Sequence, residues 1–287
     1  MPMTTRIVEA NGFAFAVDEV GEGDRLALCL HGFPESRFSW RAQMPVLAEL
    51  GYRVWAPDLR GYGETEPKPR DVDSYRMERL LEDVAALIDA AGAREVMLVA
   101  HDWGAAVAWT FAARKVRPLS RLVIMNVPHP AVFADVLRRS PKQMLRSWYM
   151  AFFQIPRLPE RMLLAKDAQA IRQAFSGMAK DKSRFSNAVL DRYAQDAQRP
   201  GAMTGMINWY RAAARRPDFM REPWAKIEIP TLVIWGAADA ALGLETLEGT
   251  EVYVADLQIK RLPGVSHWVQ QEAPEAVNSL LVDWLKA

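Results

Sequence analysis

The chain has 287 residues, 36 Lys+Arg against 35 Asp+Glu, four His, one Cys and 50% hydrophobic residues. That length carries one large domain or a core with a smaller insertion, and a net charge of +1 argues against a nucleic-acid-binding or strongly anionic-surface role. One cysteine excludes an intrachain disulfide and a multi-Cys metal site, Met1–Arg6 leads into charged sequence without an apolar leader, and no run approaches the roughly 20 apolar residues of a membrane span, so a soluble, cytoplasmic globular protein is expected.

Leu26-Ala27-Leu28-Cys29-Leu30 is an unbroken apolar run, the mark of a strand covered on both faces. Arg53-Val54-Trp55-Ala56 predicts a second strand. Ser74 is placed to cap a helix whose Leu80, Leu81, Val84, Leu87 and Ile88 form a stripe of period 3.6, ending at Ala91-Gly92. Strands are expected at Glu95–Ala100 and Arg121–Met125, then at Thr231–Trp235 and Leu257–Leu262; Pro274 opens a last helix with Val277, Leu280, Leu281, Trp284 and Leu285 inward. Strand–helix alternation implies a mostly parallel, doubly wound α/β sheet. Residues 131–223 lack such strands and are helical, with Pro141, Pro156, Pro159 and Pro200 as punctuation. Residues 131–222 hold 17 Lys+Arg and 8 Asp+Glu, a net of +9, which leaves −8 on the remainder. The expected organisation is therefore a core of residues 1–130 and 224–287 with a helical cap, 131–223, inserted. The cap's arginines are read as solvated helix faces, or as a contact with the acidic core or another subunit.

In an open parallel sheet, ligands sit at the carboxyl ends of strands. Val99-Ala100-His101-Asp102-Trp103-Gly104-Ala105 runs from strand to helix with almost no loop, and small residues lie two positions either side of Asp102. This is the small-x-nucleophile-x-small pattern of a nucleophile elbow with Asp in place of Ser. Asp102 as a simple helix N-cap is the alternative. A carboxylate attacking an acyl carbonyl would give an unproductive anhydride. Attacking an sp³ carbon with a leaving group, it gives an alkyl ester that water can hydrolyse, which points to epoxides or alkyl halides. No G-x-S-x-G, P-loop or H-E-x-x-H occurs.

Of the four histidines, His31 follows a buried strand, His101 precedes the nucleophile and His129 leaves the last strand before the cap. His267 lies after the final strand, where the order nucleophile, acid, histidine places the base. Asp239, just past the preceding strand in Gly236-Ala237-Ala238-Asp239, is the candidate acid that orients it; Glu245 and Glu248 fall inside the following segment, and Asn126 is not a carboxylate.

Together, His31-Gly32-Phe33-Pro34-Glu35-Ser36, Asp58-Leu59-Arg60-Gly61-Tyr62-Gly63, His101-Asp102-Trp103-Gly104-Ala105, Gly236-x-x-Asp239 and His267-Trp268-x-Gln270 resemble the α/β-hydrolase-fold epoxide hydrolases. Ala100 departs from the glycine more usual there. The core motifs alone would also admit haloalkane or haloacid dehalogenases, in which the Trp103 indole could serve halide; a catalytically silent ligand-binding relative is the reading of a different class. The resemblance implies ring-opening acids on the cap, and Trp148-Tyr149-Met150 and Trp209-Tyr210-Arg211 look like the family's tyrosine sites; Tyr193 and Tyr253 lack that context. It also implies an oxyanion site from the backbone N–H groups of Phe33 and Trp103, with Phe33-Pro34 a candidate cis bond. Glu35 would orient water or simply brace the loop. The implied reaction turns a small apolar epoxide and water into a vicinal diol with no metal and no organic cofactor; a homo-oligomer is compatible with the chain.

Overall fold

Runs of apolar residues in a strand demand cover on both faces, and the chain supplies it with helices on either side of one sheet. The computed structural model describes residues 2–220 and 223–287; Met1 and Arg221, the latter part of the cap's basic excess, lie outside the described residues. Eight strands occur among them: β1 (Thr4–Ala10), β2 (Phe13–Val20), β3 (Arg25–Leu30), β4 (Arg53–Pro57), β5 (Glu95–His101), β6 (Arg121–Met125), β7 (Thr231–Gly236) and β8 (Leu257–Leu262). Their order is β1-β2-β4-β3-β5-β6-β7-β8. All six predicted strands are present, and they pair in parallel from β4 to β8.

The two strands ahead of the first predicted one form an antiparallel hairpin that joins β4. Ala10 pairs with Phe13, so the turn is Asn11-Gly12, and both residues have positive φ (48° and 77°). Two successive left-handed residues make the mirror-image turn that matches strand twist, and Asn-Gly is its strongest signature.

The core helices are α1 (Met44–Glu49), α2 (Met77–Ala91), α3 (Asp102–Ala113), and at the C-terminal end α10 (Val269–Glu272) and α11 (Pro274–Lys286). Along β3, Leu26, Leu28 and Leu30 pack with α2 and α3, whereas Ala27 and Cys29 pack with α1 and α11; β5, β6 and β7 alternate in the same way. Burial of that order stabilises by about 1.5–3 kcal/mol for each large aliphatic side chain. The stripe on α2 is inward, and Gly92 closes it in the left-handed conformation. Ser74 does not cap this helix: it lies in a short 3-10 turn, bonds Asp71 instead, and the helix starts at Met77 behind Arg76, which gives no side-chain cap.

Between β6 and β7 the described residues contain helices and no strand: α4 (Pro130–Arg139), α5 (Pro141–Arg146), α6 (Trp148–Phe152), α7 (Leu158–Met178), α8 (Asn187–Gln198) and α9 (Ala202–Arg215). The first helix of the insertion, α4, starts at Pro130. Opposite net charges meet across it: Arg199 pairs with Glu64, Arg184 with Glu275 at 2.9 Å and Arg146 with Glu245 at 3.6 Å. Glu64 continues to Arg37, which is buried among Asp18 and Asp58 as well, so Arg37 and these three carboxylates form an ion-pair anchor that ends on Arg199 of the insertion. Helix α9 rests directly on the core. A Cβ on Gly205 would sit 2.7 Å from the Gly61 Cα and 2.8 Å from its carbonyl oxygen, so the two backbones touch. Among the described residues no helix is long and apolar enough to cross a membrane, and no group of three or more His, Cys, Asp or Glu is arranged to hold a metal.

Candidate active site

Strand β5 delivers Asp102 to the start of α3 with φ at +49°, a conformation that costs most residues energy and that Asp tolerates better than most. The turn is that sharp because α3 presses on the neighbouring strand: the Gly104 N–H donates to the His31 carbonyl at 3.0 Å, and a Cβ on Gly104 would lie 2.3 Å from the Leu30 carbonyl oxygen. A glycine at position 104 is therefore a steric requirement. The Asp102 carboxylate does not cap its helix. Its Oδ1 accepts the Phe33 N–H at 2.6 Å, and its Oδ2 faces His267 Nε2 at 3.4 Å. Trp103 follows in the first helical turn, where backbone N–H groups lack partners within the helix. The Phe33-Pro34 bond is cis.

His267 donates from Nδ1 to Asp239 Oδ2 at 2.7 Å. Asp239 is held in turn: its Oδ1 accepts from the Ala241 and Leu242 N–H groups at 2.7 and 2.9 Å, and its Oδ2 from Asn126 at 2.8 Å. Burial alone would favour the neutral acid, yet His267, Asn126 and the loop amide hold Asp239 below the usual carboxylate range. Asp102 is likewise kept ionised against burial by His267, His101 and the Phe33 N–H. The same two carboxylates outweigh burial at His267 and raise its pKa to about 10.

Tyr149 on α6 and Tyr210 on α9 come from positions 61 residues apart and meet edge to face, ring centroids 5.8 Å apart. Both line the two cavities that flank Asp102. The first cavity runs between Trp103, Phe133, Phe219 and Leu242; the second between Phe33, Phe153, Trp148 and Trp268, with His267 in its wall. Burial, then the Asp102 charge, pushes both phenols above their ordinary pKa, which keeps them protonated donors at neutral pH. The Trp103 ring packs edge-on against Tyr210 at 5.0 Å, and its indole N–H opposes the rise.

The remaining histidines lie off the cavities. His31 accepts the Leu59 N–H at 3.0 Å, and burial lowers its pKa. His129 accepts the Ala131 N–H at the start of α4 and stacks on Tyr253. His101 points beneath the site, with Nδ1 to Glu35 at 2.7 Å and Nε2 to the His267 carbonyl at 2.9 Å. Glu35 is buried with both oxygens engaged, one by Gln270 and Gln271, the other by His101 and the Gly32 N–H. Tyr193 donates to Gln271. Asn126 is the residue that sequence reasoning passed over. Besides holding Asp239, it accepts the Gly236 N–H at 2.7 Å from a left-handed backbone (φ 47°), and its only sequence signal is a polar residue at a strand's carboxyl end.

The model of the alpha/beta hydrolase fold family matches residues 28–274. The chain is 36% identical over 282 residues to the AB hydrolase superfamily protein YfhM of Bacillus subtilis, covering 98% of this chain and 97% of that protein. It is 32% identical to epoxide hydrolase A of Mycobacterium tuberculosis, covering 98% and 97%. Among solved structures, the epoxide hydrolase of Bacillus megaterium in complex with an inhibitor superposes with a TM-score of 0.89 at 29% identity, over 98% of this chain and all of that one. The chain thus belongs to the α/β-hydrolase fold family, and its full-length relatives there include epoxide hydrolases.

Proposed function

We propose that the protein is an epoxide hydrolase working through an ester on Asp102, with residues 131–223 as the cap that supplies the acids. The observation that carries this is the placement of two protonated phenols, Tyr149 and Tyr210, over cavities that share an ionised aspartate. Phe33 holds Oδ1, which leaves Oδ2 to attack an epoxide carbon. The C–O bond breaks, and its oxygen takes a proton from a tyrosine. Without that proton the leaving alkoxide would be about as basic as hydroxide (water pKa ~15.7). His267, oriented by Asp239, then removes a proton from water as it attacks Cγ of the ester. The Phe33 and Trp103 N–H groups receive the oxyanion, each such donor being worth on the order of 10²–10³ in rate. The Cγ–Oδ2 bond then breaks, Oδ2 leaves with the diol and takes the proton held on His267, and the carboxyl left behind, carrying an oxygen from water, gives its proton back to the tyrosinate and is a carboxylate again. Glu35, its acceptors filled by four donors, braces the loop that carries Phe33 and, through His101, the His267 carbonyl.

One turnover in H₂¹⁸O with enzyme in excess tests the covalent route. The heavy oxygen is expected in the Asp102 peptide and not in the diol; a diol labelled in that first turnover overturns the mechanism. Halide release from a chloroalkane, with no diol from an epoxide panel, would instead assign the site to a dehalogenase. Tyr149→Phe or Tyr210→Phe is expected to slow ring opening by about 10²-fold each, as for loss of a positioned acid, and the double variant to nearly abolish it. Stopped-flow tryptophan fluorescence reads this step. Unchanged ring opening in the double variant would remove the tyrosines from the reaction.

A further inference from the structure

Among the described residues, most exposed large apolar side chains gather on one stretch of the insertion. Met144 and Leu145 on α5 are 54% and 76% exposed, Trp148 on α6 is 64% exposed, and Ile155, Leu158 and Met162 follow at 43%, 42% and 54%. On the first turns of α7, Leu158, Arg161 and Met162 recur at i, i+3 and i+4 and all are exposed, so they share an outward face, which ends where the backbone leaves helical geometry at Ala165. Scattered exposed apolar residues are ordinary; a patch of them is not.

The cations around this patch single out its partner. Residues 138–166 hold seven Lys and Arg and one acid, Glu160. That acid is spent on Arg211, at 2.6 Å. Arg138 and Arg139 share Asp135, and Arg146 faces Glu245, but Lys142, Arg157, Arg161 and Lys166 have no ion-pair partner among the described residues and all are exposed. Exposed tryptophan and aliphatic tips interspersed along the chain with unpaired cations match the boundary of an anionic bilayer, where tips enter the acyl region and cations meet the headgroups. A second copy of the chain would set like charge against like. The patch also continues into the site: Arg146, Trp148 and Phe152 line the second cavity that flanks Asp102.

We infer that this face of the insertion docks the protein on anionic lipid surfaces. The net charge of +1 conceals the feature, because the sum over the chain cancels a local excess. Full-length protein is floated with vesicles of phosphatidylcholine alone and with an equal part of phosphatidylglycerol. Binding is expected only to the second, and to fall as salt rises. Lys142→Glu with Arg161→Glu should cut partition by on the order of 10-fold per cation, and Leu145→Ser with Met162→Ser should cut it without altering the circular dichroism spectrum or the unfolding midpoint. Equal partition onto both vesicles, or none, overturns the inference. So does a dimer in sedimentation velocity that Leu145→Ser with Met162→Ser dissolves, since the patch is then covered by a second copy.

Discussion

His267→Gln is expected to open epoxides once and then stall as the ester. The reason lies in what alkylation does to the histidine. In the free protein, burial lowers the His267 pKa, but Asp239 and then Asp102 carry it up to about 10, so the ring is an imidazolium and no base. Esterification turns Asp102 into a neutral acyl group, removing one of the two carboxylates that hold the proton. The pKa falls, and Nε2 regains a lone pair when water needs it. Ring opening requires none of this, whereas ester hydrolysis requires all of it. Intact mass after mixing should show protein plus one epoxide, and steady-state diol formation should drop by about 10²–10⁴-fold, the usual worth of a positioned base. In the wild type, single-turnover ester hydrolysis should rise with pH through an apparent pKa below the free protein's value of about 10. A Gln variant that forms diol at the wild-type rate with no adduct would remove His267 from the second step.

Asp102→Ala and Asp102→Gly should both be inactive, by on the order of 10⁶-fold if this carboxylate matters as much as a serine nucleophile does elsewhere. Their stabilities should differ in an unusual sense. At the first position of a helix alanine normally beats glycine, but here φ is +49°. A Cβ in that region costs about 1–2 kcal/mol, while glycine's extra freedom in the unfolded chain costs about 0.5–1 kcal/mol. Both variants lose the same carboxylate, so that difference isolates the backbone, and urea melts should place glycine above alanine by roughly 1 kcal/mol. Alanine at or above glycine would mean that the elbow relaxes once its side chain is removed.

The central strands were legible because burial on both faces writes an unbroken apolar run, and Asp102 because a sharp strand-to-helix turn admits only small neighbours. The hairpin of β1 and β2 carries charge on an exposed edge and hides its pattern, although Asn11-Gly12 marks its turn. Asn126 was illegible for another reason. Its partners Asp239 and Gly236 lie more than 100 residues away, and an amide at a strand end announces no role until those partners are placed. The separation of charge along the chain was visible, but not its use: some cap arginines cross to core acids, others stay within the cap, and a few face solvent alone. Ser74 shows the opposite failure, a plausible local signal that Asp71 captured.

The contact of Gly205 with Gly61 makes one helix turn answer to two opposed demands. By helix propensity alone, alanine at position 205 would be an improvement of about 1 kcal/mol. It would instead wedge α9 away from the core by its own methyl group, and the ring of Tyr210, little more than a turn further on, would ride up with it. The height of a phenol above the nucleophile is thus gauged by the absence of two side chains, neither near enough to touch a substrate.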